Sequence, residues 1–81
     1  MNKEILEKVK TFATEVACVN ENEVKPESNF NEDLGMDSLD VVELTMKCES
    51  EFRIQITDED SQNLSSVQEL VDLVDSKLNG K

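Results

Sequence analysis

Apolar side chains recur at intervals of three and four residues in three stretches of the chain, the spacing that places them on one face of an α-helix. The first stretch predicts a helix over residues 3–17, with Asn2 as its N-terminal cap. The inward face of this helix would consist of Ile5, Leu6, Val9, Phe12, Ala13, Val16 and Ala17. The second stretch predicts a helix over residues 38–51. Each of the two helices would have an apolar face that can pack against a common core.

The third amphipathic pattern covers residues 66–78 and predicts the last main helix. Ser66 and Glu69 have the spacing of a capping box, and Gly80 is a helix stop signal. The inward face of this helix would consist of Val67, Leu70, Val71, Val74 and Leu78.

A short helix is predicted between the second and third patterns. Residues 57–60 have the composition of a capped helix start, but Leu64 follows within a turn or two. Ile54 and Ile56 alternate as in a strand, yet no second segment is suited to pair with them, so no sheet is expected.

Residues 19–37 form the longest stretch without a sustained hydrophobic period. They contain Lys25-Pro26 and several Asn and Ser residues, which indicates a loop between the first two helices. A loop of this length is unusual in a compact domain and requires anchors. The apolar candidates for anchoring it to the core are Val24, Phe30 and Leu34.

These patterns predict an all-α fold. We expect a small antiparallel helical bundle with three main helices, one short helix and a long loop between helices 1 and 2. The 81 residues suffice for one compact domain but not for two, so residues 1–81 are expected to form a single domain. A domain of this size has little room for a large enclosed active site.

Negative charge is concentrated in the middle of the chain. The formal net charge is −11, and residues 27–60 alone hold eleven acids and two bases, a net charge of −9. Such a field repels nucleic acid and anionic membranes and speeds encounter with basic protein surfaces. Acidic residues also keep small domains soluble, but their clustering in one segment favours cationic protein partners.

The cysteines and the hydropathy bear on the compartment. The chain lacks an apolar run near the roughly 20 residues that span a membrane, and its first residues lack the apolar core of a signal peptide. Cys18 and Cys48 lack CxxC spacing and lie in predicted helical stretches, so we expect buried, reduced thiols. These features predict a cytoplasmic protein.

The second helix carries two apolar stripes. At 100° per residue the two stripes point to different sides, and three helices cannot easily bury both. We expect the first stripe to face the core. We expect the second to be at least partly exposed and to form an apolar docking strip beside Glu43; the alternative is one wide core face. The first stripe is Val41, Leu44 and Cys48, and the second is Leu39, Val42 and Met46.

Ser38 lies where the long loop meets the second helix, as the cap or as the first helical residue. A serine at this position is ordinarily a plain cap. Here, however, residues 30–44 closely resemble the prosthetic-group attachment motif of acyl carrier proteins: Phe30-Asn31-Glu32-Asp33-Leu34-Gly35-Met36-Asp37-Ser38-Leu39-Asp40-Val41-Val42-Glu43-Leu44. The resemblance continues, more loosely towards the last helix, through Met46, Glu49, Glu51, Phe52, Ile56, Asp58, Glu59, Asp60, Val67 and Gln68, and the helix lengths and long loop extend it over the whole chain.

The resemblance implies a carrier and not an enzyme. Ser38 would hold 4'-phosphopantetheine through a phosphodiester, transferred from coenzyme A by a phosphopantetheinyl transferase, and the arm would carry an acyl group as a thioester. The partners would be this transferase and acyl-processing enzymes with basic docking patches, and we expect the carrier to act as a monomer. The surface that these partners recognise would consist of Asp37, Leu39, Asp40, Val42, Glu43 and Met46.

The pathway is open at this point. Fatty-acid synthesis is the first expectation, but Lys47 and Arg53 add positive charge where fatty-acid carriers are mostly neutral or acidic, which leaves a related lipid or polyketide pathway open. An aminoacyl carrier, peptidyl or D-alanyl, would use the same arm. An unmodified acidic interaction module would keep the fold without the arm.

In this family the acyl chain can fold back between the helices. Here the candidates for lining that pocket are Val41, Leu44, Cys48, Phe52, Ile56, Leu64, Val67 and Leu70. The alternative is that these side chains simply pack together while the carrier is unloaded, because a standing cavity would destabilise a small domain.

Two other kinds of site are disfavoured. A hydrolase with Ser38 as nucleophile requires a general base, most often histidine, and the chain contains none. Asp33, Gly35 and Asp37 alternate like calcium-loop ligands, but Ser38 and Leu44 occupy the positions of the invariant glycine and the closing glutamate. No metal site is predicted.

Overall fold

The computed structural model describes residues 3–79, and its regular structure is helical. The helices are α1 (Lys3–Ala17), α2 (Ser38–Phe52), α3 (Asp58–Gln62) and α4 (Val67–Leu78), with one turn of 3₁₀-helix at Glu21–Glu23. Between residues 3 and 79 the strand-like pairing is a single isolated bridge, from Asn29 to Ser66. The predicted bundle of three main helices and one short helix is confirmed, and the boundaries of the three main helices agree within one residue. The predicted cap Asn2 and stop Gly80 lie outside the described residues.

The core lies between α1, α2 and α4. Each helix contributes the apolar face that its sequence period predicts, and the side chains that are almost fully buried on these helices are Ile5, Val9, Ala13, Val41, Leu44, Cys48, Val67, Leu70, Val71 and Val74. The remaining apolar residues of the α1 face are only partly buried at its edge: Leu6, Phe12, Val16 and Ala17.

Two expectations about burial are wrong. Leu78 is 46% exposed, because it lies one turn beyond Val74, where the packed layer of α4 ends. Cys18 is also exposed. It follows the last residue of α1 with a φ of 57°, and this left-handed turn takes it off the helical face. Cys48 is buried, as expected.

The long loop between α1 and α2 is held to the bundle by apolar anchors and by backbone hydrogen bonds. Val24, Phe30 and Leu34 are buried as predicted, and Met36, which the pattern did not single out, is buried as well. The Phe30 N–H donates to the Ser65 carbonyl at 3.0 Å. In return, the amides of Val67 and Gln68 donate to the Ser28 and Pro26 carbonyls at 3.0 and 2.9 Å. The loop is therefore fixed against the start of α4.

The start of α4 corrects one predicted detail. Ser66 Oγ accepts from the Glu69 N–H at 3.3 Å, as a cap should. The Glu69 carboxylate, however, accepts from the N–H and the hydroxyl of Ser65, at 2.7 and 2.8 Å, instead of closing the box on Ser66. These hydrogen bonds lower the pKa of Glu69.

Candidate functional site

Ser38 is the first residue of α2, and Asp37 is its cap. The Asp37 carboxylate accepts from the Asp40 N–H at 2.9 Å, and the Asp40 carboxylate accepts from the Asp37 N–H at 3.3 Å. Ser38 is exposed, and its hydroxyl makes no hydrogen bond to any residue between 3 and 79. The reading of Ser38 as a plain cap is therefore wrong, since its neighbour fills that role.

The position of Ser38 suits an attached anion. The first turn of a helix leaves backbone N–H groups without intrahelical partners and carries a partial positive charge. A phosphodiester on the Ser38 hydroxyl would therefore lie in a favourable electrostatic field, although the exposed Asp37 precedes it in the chain. The geometry fits a phosphate-linked group at this serine.

The chain segment before Ser38 is held in a fixed conformation. Gly35 has a φ of +67°, and a Cβ atom there would meet nothing within 4 Å. Glycine is therefore favoured at this position by the backbone angle and not by a lack of room for a side chain. The Met36 N–H then donates to the Phe30 carbonyl at 2.8 Å, and the Asn31 amide donates to the Met36 carbonyl at 3.3 Å. These contacts position Asp37 and Ser38 at the start of α2.

The second apolar stripe of α2 is largely exposed. Leu39 is 76% exposed and Met46 is 58% exposed, whereas Val42 is half-buried. The prediction that all three side chains are at least partly exposed is thus confirmed, and a single wide core face is excluded. Glu43 is exposed beside the stripe, while Asp40 is half-buried and engaged in the helix cap.

An open cleft of about 410 Å³ adjoins Ser38. It lies between the loop that precedes α2, the first turns of α2, and α3 with the residues that follow it. Its apolar lining is Phe30, Met36, Leu39, Val41, Val42 and Leu64, and its polar lining is Asn29, Asn31, Asp37, Ser38, Asp58, Ser61, Gln62 and Ser65.

The predicted acyl-pocket residues and the cleft overlap in two positions, Val41 and Leu64. The other predicted residues pack in or against the core: Leu44, Cys48, Phe52, Ile56, Val67 and Leu70. The sequence reading missed Phe30 and Met36 as lining residues, although their closeness to Ser38 along the chain was an available signal. An acyl pocket in the core stays a prediction.

Cys48 is an unreactive core residue. Burial, followed by the charges of Glu49 and Glu51, raises the pKa of its thiol to about 12. The thiol is therefore protonated at neutral pH and is a poor nucleophile.

Two kinds of feature are absent from the part of the chain that the structure describes. Residues 3–79 contain no cluster of three potential metal ligands, including the Asp33 and Asp37 region. Within the same residues, no helix combines the length and the hydropathy needed to cross a bilayer.

Comparison with known proteins agrees with this site. Residues 7–74 match the family described as a phosphopantetheine attachment site. The acyl carrier protein of Chlorobium phaeobacteroides is 47% identical over 74 residues, which cover 91% of this chain and 95% of that protein. The acyl carrier protein of Thermosynechococcus vestitus is 45% identical over 75 residues, which cover 93% of each chain. The crystal structure of an acyl carrier protein from Thermotoga maritima superimposes with a TM-score of 0.83 and 36% identity, over 95% of this chain and 89% of that one.

The fold and the site therefore define a phosphopantetheine-binding carrier. Within that class, the chain belongs to the acyl carrier protein family. It is a carrier and not an enzyme: it holds acyl cargo on 4'-phosphopantetheine and works with separate acyl-processing enzymes.

Proposed function

We propose that Ser38 is the residue that carries 4'-phosphopantetheine. The observation that carries the proposal is an exposed hydroxyl, free of side-chain hydrogen bonds to residues 3–79, at the first position of α2. Because Asp37 is the cap of α2, the Ser38 hydroxyl oxygen is available to a phosphopantetheinyl transferase that uses coenzyme A. The arm ends in a thiol, and a thioester there activates the acyl carbonyl and fixes its location.

The α2 surface is the proposed docking site for partner enzymes. Leu39 and Met46 expose apolar area that a partner could cover, with Val42 between them. Carboxylates flank this strip at Asp37 and Glu43, and the negative charge of residues 27–60 favours a basic partner. Apolar contact would supply affinity, while the charges would steer the encounter.

We further propose that the carrier serves fatty-acid synthesis in the cytoplasm and that residues 1–81 act as a single domain. Support comes from the relatives named acyl carrier protein, which match over nearly their full length. The Lys47 ammonium, which departs from fatty-acid carriers, lies 3.6 Å from the Glu15 carboxylate of α1 and is therefore partly neutralised.

Intact mass measurement tests the attachment site. Wild-type protein incubated with coenzyme A and a phosphopantetheinyl transferase should gain the mass of one phosphopantetheine. Ser38→Ala should gain none, and Ser50→Ala, an exposed serine on the same helix, should gain as much as wild type. No gain on wild type, or an equal gain on Ser38→Ala, would refute the assignment.

A second assay tests the pathway. The loaded carrier should accept a malonyl group from malonyl-coenzyme A when a malonyl transferase of fatty-acid synthesis is added. Failure to accept malonyl, together with loading by an amino-acid-adenylating enzyme, would reject fatty-acid synthesis in favour of an aminoacyl carrier.

A further inference from the structure

Arg53 places an exposed cation at the C-terminal end of α2. The two bases of the acidic segment 27–60 are Lys47 and Arg53. Lys47 lies 3.6 Å from the Glu15 carboxylate, whereas the Arg53 side chain forms no ion pair or hydrogen bond with any residue from 3 to 79. The Arg53 guanidinium is therefore available to another protein.

The carboxylates close to Arg53 along the chain have other partners. Glu49 precedes Arg53 by four residues, the spacing at which glutamate and arginine pair on a helix. Its Oε2 atom instead accepts from the Ile56 N–H at 2.8 Å. The Glu51 carboxylate lies 3.3 Å from the Lys8 ammonium of α1. The fold therefore does not neutralise Arg53 through these acidic neighbours.

The backbone at Arg53 does not favour arginine. Arg53 is the C-cap of α2 with a φ of 56° and a ψ of 49°, the left-handed region that glycine usually occupies at a helix end. A positive charge near this end of a helix is favourable, but a basic residue in the last turn would supply it without backbone strain. The last turn of α2 contains none. Apart from this charge effect, glycine would serve the fold as well, which favours a recognition role for the Arg53 side chain.

Arg53 continues the line of the docking strip along α2. Leu39, Met46 and Arg53 follow one another at intervals of seven residues, which is close to two helical turns. The 15 residues of α2 span roughly 22 Å at about 1.5 Å per residue, so Asp37 and Arg53 mark opposite ends of the contact. This length exceeds the Debye length of about 8 Å at physiological salt. The two ends therefore act separately on a partner.

We propose that Arg53 forms an ion pair with a carboxylate of the acyl-processing enzymes that load this carrier and that it selects among basic partners. The inference rests on the proposed docking of partners along α2. A partner with a basic patch for the N-terminal end of α2 would also require an acidic group roughly 20 Å away. A partner that is basic along the whole contact would meet Arg53 with like charge and bind less tightly. Arginine suits this role because its planar guanidinium can bind both oxygens of a carboxylate.

Kinetics of loading test the ion pair. The phosphopantetheine-bearing carrier is titrated against malonyl-coenzyme A and the malonyl transferase encoded in the same genome. Arg53→Gln should raise the KM for the carrier about fivefold, and Arg53→Glu should raise it further, with little change in kcat. Higher ionic strength should narrow the difference between wild type and Arg53→Gln. The control is Lys25→Gln, which removes the same charge from an exposed loop residue that lacks an ion pair within residues 3–79, and it should leave the KM unchanged.

Two further variants separate recognition from an effect on the end of α2. Arg53→Gly removes both the guanidinium and the backbone strain, so it should be no less stable than wild type in urea unfolding and still show the raised KM. Arg53→Lys keeps the charge without the planar guanidinium and should recover part of the wild-type KM. If Arg53 acted only on the helix end, Arg53→Gln would change the free energy of unfolding and leave the KM as in wild type.

The outcomes distinguish this inference from the proposed function. An unchanged or lower KM in both Arg53→Gln and Arg53→Glu would overturn the ion pair while attachment at Ser38 stands. If wild-type carrier accepts no malonyl group, the pathway proposal fails, and the same variants are compared with the amino-acid-adenylating enzyme that loads the carrier. If wild-type protein gains no phosphopantetheine mass, attachment at Ser38 is refuted, and the role given to Arg53 is refuted with it.

Discussion

The Lys77 ammonium on α4 lies 3.2 Å from the Asp60 carboxylate on α3. Thr57 is the N-cap of α3, and Asp60 completes its capping box: the Asp60 carboxylate accepts from the Thr57 N–H, while the Asp60 N–H donates to Thr57 Oγ1. The Asp60 carboxylate therefore both stabilises the start of α3 and connects this five-residue helix to α4. Since α3 forms one wall of the cleft beside Ser38, this pair helps to position the site.

The Lys77–Asp60 pair predicts a measurable titration. The Lys77 contact, followed by the hydrogen bonds of Thr57, lowers the pKa of Asp60 below its ordinary value of 3.8. A lowered carboxyl pKa stabilises the fold above 3.8, and this contribution is lost as the pH falls through the folded-state pKa. In Lys77→Met, the pKa of Asp60 measured by carboxyl-carbon NMR should rise towards 3.8.

Both partners of this pair are partly exposed to solvent, so the stability effect of Lys77→Met should be small, below about 1 kcal/mol. Lys10→Met provides the control, because Lys10 makes no ion pair within residues 3–79. An unchanged Asp60 pKa in Lys77→Met would show that the pair does not form in solution.

Asp37 has a structural role as the cap of α2 and a proposed recognition role, and substitution can separate the two. Asp37→Ala removes the acceptor for the Asp40 N–H and should lower the free energy of unfolding by about 1 kcal/mol. Asp37→Asn keeps an acceptor oxygen but removes the charge. It should retain near wild-type stability in urea unfolding and still show a lower kcat/KM with the phosphopantetheinyl transferase. Equal kcat/KM for Asp37→Asn and wild type would show that the transferase does not recognise the Asp37 charge.

The sequence predicts those features of the structure that depend on residues close together along the chain. The faces of α1 and α2 follow from periodicity, and Val24, Phe30 and Leu34 were identifiable as the apolar residues of a polar loop. Leu78 continues the α4 period, but burial also requires a neighbouring element, and the packed layer ends at Val74.

The cleft shows the same limit at the site. Ser38 and the exposed stripe of α2 are visible in the sequence, because the motif and the helical period are both local. Phe30, Met36 and Gln62 come together only when the loop and α3 fold against α2. Likewise, the free hydroxyl of Ser38 depends on Asp37 taking the cap, and both residues are acceptable caps by type.

Gly35 predicts a backbone effect in the loop before Ser38. Its φ of +67° is unfavourable for residues with a side chain, while a Cβ would meet no atom within 4 Å. Gly35→Ala should therefore lower stability through strain alone, by about 1–2 kcal/mol. Gly35→Asn should lower it less, since asparagine tolerates this region. Thermal unfolding of the two variants supplies the comparison, and a larger loss for Gly35→Asn would contradict the strain argument.

Met46 tests the docking strip without disturbing the core. Because its side chain is 58% exposed, Met46→Ala should leave the melting temperature nearly unchanged. If a partner covers this residue, the loss of contact should raise the KM for the carrier about fivefold, with little change in kcat. The assay is holo-carrier formation by the transferase at varied carrier concentration, with Ser50→Ala as the control on the same helix. If neither Met46→Ala nor Leu39→Ala changes the KM, the transferase does not use this strip.

Cys48 predicts a loss of stability in alkali. Its thiol ionises near 9.0 when exposed, whereas burial first and then Glu49 and Glu51 raise the pKa to about 12 in the folded protein. Between these values the unfolded chain releases a proton that the folded chain retains, so the free energy of unfolding should fall by up to about 1.4 kcal/mol per pH unit. Urea unfolding from pH 8 to 11 should show a steeper fall for Cys18→Ala, which retains Cys48, than for Cys48→Ala. Parallel slopes in the two variants would mean that the Cys48 thiol ionises as readily in the folded state as in the unfolded one, and that the core around α2 admits water.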